Sequence, residues 1–147
     1  ISLSDASGMA YPTQVYSICT EMRRQYPQVD WWLHFHNTSG LAMANIMAAM
    51  EAGMDRFDSS FGGLGGCPFV PGAAGNISTE DVLHLCEESG IATGIDITKV
   101  IELSRKLKEL LNHDMDSYIL RAGRSCDLIQ SEAVTHSLRV QVSAVKR

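Results

Sequence analysis

The sequence predicts an α/β domain built on parallel strands. Short runs rich in branched and aromatic residues alternate with longer helical stretches. Each such run leads into a turn containing glycine, and the intervening helices are long enough to cross back over a sheet. At 147 residues and 45% hydrophobic content, the chain can bury one core of its own.

Ile1-Ser2-Leu3-Ser4-Asp5 alternates like a short strand and ends in an acid followed by Gly8, as a strand hands over to a βα loop. Pro12 suits the first turn of a helix running to about Tyr26, where Pro27 stops it. Residues 29–36 form a second strand, and Gly40 opens an alanine- and methionine-rich helix that Gly53 closes. Residues 56–60 form a third strand feeding a glycine-dense segment. Ser78-Thr79-Glu80-Asp81 reads as a helix N-cap with acids in the first turn, and Gly90 ends that helix. A last helix starts near Asp96, with Val100, Leu103, Leu107 and Leu110 at core spacing. From about residue 130 the chain turns polar. Leu138, Val140 and Val142 alternate there, either as a strand or as a tail. Residues 1–129 and 130–147 are therefore expected to be a folded part and a polar C-terminal tail.

A net charge of −5 without a clustered basic stripe argues against nucleic acid. No apolar run is long enough to span a bilayer, so no membrane partner is expected. Cys19, Cys67, Cys86 and Cys126 contain no C-x-x-C pair, which favours reduced thiols over a disulfide framework or a zinc knuckle. A cytoplasmic location is expected, with an organelle matrix such as the mitochondrial one as the alternative. Because the chain begins at Ile1 inside a strand-like run, a preceding segment is expected.

The chemistry concentrates in two places. Residues two apart on a strand share a face, so His34 and His36 point together at a strand end, where α/β folds bind ligands. They are either half of a metal site or structural histidines. The second place is residues 61–76, which hold six of the twelve glycines and Cys67 in sixteen residues. That density is useful where a backbone must reach positive φ or pass close to a ligand. Cys67 is a candidate acid–base thiol or an inert loop cysteine. Asn76 is a turn residue or an amide oxygen completing a metal shell, and imidazoles with an amide suit an open six-coordinate ion of the Mg²⁺ or Mn²⁺ type. Asp5 is a substrate-facing acid or a loop cap. His84, His113 and His136 have no partner spacing and are expected at the surface.

Gly62-Gly63-Leu64-Gly65-Gly66-Cys67-Pro68-Phe69, Gly75-Asn76 and Thr79-Glu80-Asp81-Val82 strongly resemble the signature region of the 3-hydroxy-3-methylglutaryl-CoA lyase family. The resemblance extends from Ile1–Asp5 through His34-Phe35-His36-Asn37-Thr38 to Asp58-Ser59-Ser60 and Ala122-Gly123-Arg124-Ser125, roughly residues 1–129. It implies the C-terminal portion of a TIM (β/α)8 barrel, supplying the last three strands of a fold of about 250 residues. It also implies metal ligands at His34, His36 and Asn76, a catalytic thiol at Cys67 and an active-site acid at Asp5. The first five strands would carry an Asp-Arg-Glu motif whose Asp completes the metal shell. The implied reaction is cleavage of 3-hydroxy-3-methylglutaryl-CoA to acetyl-CoA and acetoacetate, with an acyl-CoA substrate and a homodimeric complete enzyme. The alternatives are a noncatalytic barrel fragment and a related acyl-CoA-dependent synthase or aldolase.

Overall fold

In a computed structural model, residues 1–66 and 74–129 are described. Cys67 and the polar tail lie outside the described residues. The elements are β1 (Ser2–Asp5), α1 (Pro12–Gln25), β2 (Trp32–Phe35), α2 (Ala42–Glu51), β3 (Phe57–Asp58), α3 (Thr79–Glu88), α4 (Ile97–Leu111), α5 (Tyr118–Ala122) and α6 (Ser125–Ile129), with a 3-10 turn at Phe61–Gly63. The strands are parallel in the order β1-β2-β3. This is the expected succession of βα units from a TIM-type barrel.

Alternation on β2 separates two layers. Leu33 and Phe35 are buried against α1 and α2 in a core with Val15, Cys19, Ile46 and Ala49. Burying side chains of this size stabilises the fold by roughly 1.5–3 kcal/mol each. A second cluster joins Leu83 of α3 with Ile97, Val100 and Ile101 of α4 and Ile119 of α5. The apolar stripe of α4 is therefore offset from the expected one. Ile97, Val100, Ile101 and Ser104 face inward, while Leu103 and Leu110 are exposed. Only one side of α4 meets α3, and the spacing of leucines alone did not identify that side.

Local signals set the helix ends. Pro12 begins α1. Ser78 Oγ accepts from Asp81 N, and Asp96 accepts from Thr98 N and Lys99 N. β3 is shorter than expected because the chain beyond it finds another partner. Ser60 N donates to the Ile77 carbonyl at 3.2 Å, and Ile77 N donates to the Phe35 carbonyl at 3.0 Å. Residues 75–78 are thus wedged between the end of β2 and Ser60. Clefts of about 400 Å³ beside β1 and about 770 Å³ beside β3 border the two outer strands. No described helix is long and apolar enough to cross a membrane.

Candidate metal and catalytic site

The pleat of β2 turns His34 to the face opposite Leu33 and Phe35, and His36 follows two residues on. The two imidazole centroids lie 5.2 Å apart with their planes at 63°. Strand register places Ser4 and Asp58 on either side of His34. The wedged segment then brings Asn76 beside His36 as an antiparallel bridge, with Asn37 N donating to the Gly75 carbonyl at 3.1 Å.

The orientation of the Asn76 amide follows from its partner. Its Nδ2 donates to the Leu64 carbonyl at 2.8 Å, an acceptor that an amide oxygen cannot serve, so Oδ1 points elsewhere. Asn76 Oδ1 and His36 Nδ1 are both buried and have no hydrogen-bond partner among the described residues. Buried polar atoms without a partner are uncommon in a folded protein. Two of them on neighbouring residues, next to a second imidazole, form a donor set suited to a divalent cation. Burial, followed by the neighbouring His34, lowers the His36 pKa, while Asp5 and the Ala74 backbone oppose the shift. The neutral, metal-binding form of the ring is favoured. Among the described residues, no cluster of three or more His, Cys, Asp or Glu side chains could hold a metal. The set is therefore two imidazoles and one amide.

The glycines around Asn76 have a steric reason. A Cβ on Gly75 would lie 2.0 Å from the Gly63 carbonyl oxygen and 2.3 Å from that of Gly65. A Cβ on Gly65 would lie 2.5 Å from Asn76 Nδ2. The two arms leading to residues 67–73 touch backbone to backbone beside Asn76.

Asp5 behaves as a loop cap. Its Oδ1 accepts from Ser7 Oγ at 3.0 Å, Gly8 N at 2.9 Å and Met9 N at 3.3 Å, and its Oδ2 accepts from Ala10 N at 3.0 Å. Its register partner is Phe35, on the face away from His34. Its backbone carbonyl accepts from His36 N at 3.2 Å, tying that loop to the histidine. His84, expected at the surface, is half-buried with Nε2 3.2 Å from Ser125 Oγ. From sequence, Asp58 and Glu80 figure only within a strand end and a helix first turn; their places beside His34 and under Gly62 come from the structure. Asp58 could have been found from its strand register, whereas Glu80 reads as an ordinary first-turn acid.

The profile of the HMGL-like family matches residues 1–107. The chain belongs to the HMGL-like family. It is 42% identical over 123 residues to a (R)-citramalyl-CoA lyase of Chloroflexus aurantiacus, an alignment covering 84% of this chain and 39% of that one. It is 36% identical over 125 residues to the hydroxymethylglutaryl-CoA lyase YngG of Bacillus subtilis, covering 85% and 42%. Among solved structures, an HMG-CoA lyase from Acinetobacter baumannii, in complex with coenzyme A and 3-methylmalate, superposes with a TM-score of 0.81 at 52% identity. That match covers 87% of this chain and 42% of the other. The chain thus spans about two fifths of these HMGL-like relatives.

Proposed function

We propose that the protein carrying this chain is a divalent-metal-dependent acyl-CoA lyase, with 3-hydroxy-3-methylglutaryl-CoA as its substrate and acetyl-CoA and acetoacetate as products. The observation that carries the reading is the pair of buried polar atoms without a partner, His36 Nδ1 and Asn76 Oδ1, beside the His34 ring. These three residues would hold Mg²⁺ or Mn²⁺, with a further ligand expected from the rest of a barrel. Bound there, the ion supplies Lewis-acid neutralisation of negative charge at the oxygens of the cleaved carbon.

In the reaction the bond between C2 and C3 breaks. The C3 hydroxyl gives up its proton to a base and becomes the ketone of acetoacetate. The bonding pair passes to C2, which takes a proton to complete acetyl-CoA. In this reading His34, His36 and Asn76 orient the reacting oxygens. Asp5 shapes the loop of residues 7–10 above β1. Cys67, in the glycine segment that carries the resemblance, is in this reading the candidate donor of the proton that C2 takes up. Cys67→Ala is expected to keep Mn²⁺ affinity and lower kcat by about 10²–10⁴-fold. An unchanged kcat would remove the thiol from the mechanism.

A second substrate is favoured by the 42% identity to a citramalyl-CoA lyase. Citramalyl-CoA lacks one methylene between the carbinol carbon and the carboxylate, and the same bond cleavage would yield pyruvate. A methylene is commonly worth about 10–200-fold in discrimination. Assaying the protein expressed from its full reading frame, with Mg²⁺ or Mn²⁺, for acetoacetate from one thioester and pyruvate from the other decides between them. Failure with both refutes the lyase reading.

A further inference from the structure

Glu80, the second residue of α3, is completely buried at 0% exposure. Among the described residues no cation pairs with it. Its oxygens instead gather donors from three elements. Gly62 N approaches them at 3.1 and 2.9 Å, Ser78 Oγ at 2.6 Å, and Ser104 Oγ donates from α4. A carboxylate buried without a cation is costly unless hydrogen bonds satisfy it, so an apolar residue would serve packing alone at lower cost.

The polar choice has a destination. Gly62 is clamped on both sides, since its carbonyl accepts from Asp116 N at 2.8 Å. Two residues on, the Leu64 carbonyl accepts from Asn76 Nδ2 at 2.8 Å and from Ser60 Oγ at 2.6 Å. The backbone of residues 62–65 is thus the mould against which the Asn76 amide lies, its Nδ2 held by the Leu64 carbonyl and its Oδ1 left without a partner among the described residues. Asp81, the next residue, provides a contrast within the same helix turn. It is also buried, but it accepts from Ser117 Oγ, Tyr118 N and Ile119 N, and so secures α5 instead of the mould.

We propose that Glu80 is a positioning residue for Asn76: by pinning Gly62 it fixes the Leu64 carbonyl, which sets the direction of the Asn76 amide. The inference rests on reading Asn76 as a metal ligand. It is tested in the protein expressed from its full reading frame, with Mn²⁺ as the probe, followed by electron paramagnetic resonance. Glu80→Gln is expected to weaken Mn²⁺ binding about tenfold, the scale seen when an outer partner of a ligand is lost. It should also raise amide exchange across residues 61–65 and 75–77. Asp81→Asn is expected to lower the thermal midpoint while leaving Mn²⁺ affinity within about twofold of wild type. Equal Mn²⁺ affinities in Glu80→Gln and wild type, or equal losses in the two variants, would overturn the proposal. If the wild-type protein binds no Mn²⁺, the ligand reading of Asn76 fails by itself. The exchange data then decide the positioning role, with a rise specific to Glu80→Gln supporting it and no difference between variants refuting it. Should Glu80→Gln not fold, Glu80→Asp, one methylene shorter, is read in the same two ways.

Discussion

The two faces of β2 are built to opposite rules. On one, Leu33 and Phe35 are 1% and 4% exposed and belong to the apolar core. On the other, His36 is nearly as buried at 7%, but its Nδ1 has no partner among the described residues, and neither does the adjoining Asn76 Oδ1. The first face gains stability from burial. The second gives some up, because a buried acceptor without a donor costs about 1–3 kcal/mol. β2 and the residue that follows it therefore carry both tightly buried apolar side chains and a buried ring nitrogen without a partner. The same contrast separates the Glu80 and Asp81 carboxylates, each with several donors, from the His36 ring at the end of β2. Among the described residues, buried polar atoms without a partner also occur at Trp31 Nε1, Thr38 Oγ1, Asn45 Oδ1 and His84 Nδ1, but those of His36 and Asn76 belong to two residues bridged to each other beside a second imidazole, which is what a ligand site requires.

The sharpest way to break the comparison is to truncate each face in turn. Phe35→Ala removes a buried ring and is expected to cost about 3–5 kcal/mol in urea unfolding. His36→Ala removes a ring of similar burial, yet is expected to change stability by less than about 1 kcal/mol, since it also removes an unsatisfied acceptor. The two residues trade places when Mn²⁺ binding is measured. His36→Ala is expected to lose more than about 100-fold, beyond the range for outer partners. Conversely, Phe35 variants that still fold should bind normally. If His36→Ala proves as destabilising as Phe35→Ala, the histidine belongs to the core and the distinction collapses.

Much of this contrast is legible in the sequence. A period of two on residues 32–36 separates Leu33 and Phe35 from His34 and His36 without coordinates. Proline and glycine mark the ends of α1 and α2. Asn76 was an open choice between turn and ligand, because its nearness to His36 depends on residues 75–78 returning to the end of β2, a pairing across some forty residues of chain. Glu80 is a first-turn acid of α3 as read, but its burial is illegible for a related reason. An acid in a helix's first turn is explained by the helix dipole whether or not it is buried, so the sequence offers nothing that separates the two cases. The offset of the α4 stripe, with Leu103 and Leu110 in solvent, likewise depends on which side α3 and α5 occupy.

A smaller effect probes how dry the packed face is. Cys19 of α1 lies in the core with Leu33 and Phe35, and burial pushes its thiol pKa up to about 11. In the unfolded chain a thiol ionises near 8.5. Above that pH the unfolded state loses this proton while the folded state keeps it, so stability is intact below about 8.5 and declines as pH rises towards 11. By pH 10.5 the loss from this one group is expected to be about 2–3 kcal/mol. Cys19→Ala lowers the plateau by leaving a small void, but it should flatten this alkaline decline relative to wild type. The difference between the two slopes isolates Cys19 from Cys86, whose thiol burial also raises. Parallel slopes would mean that water reaches the layer behind Leu33 and Phe35, and the two faces of β2 would then differ in chemistry but not in access.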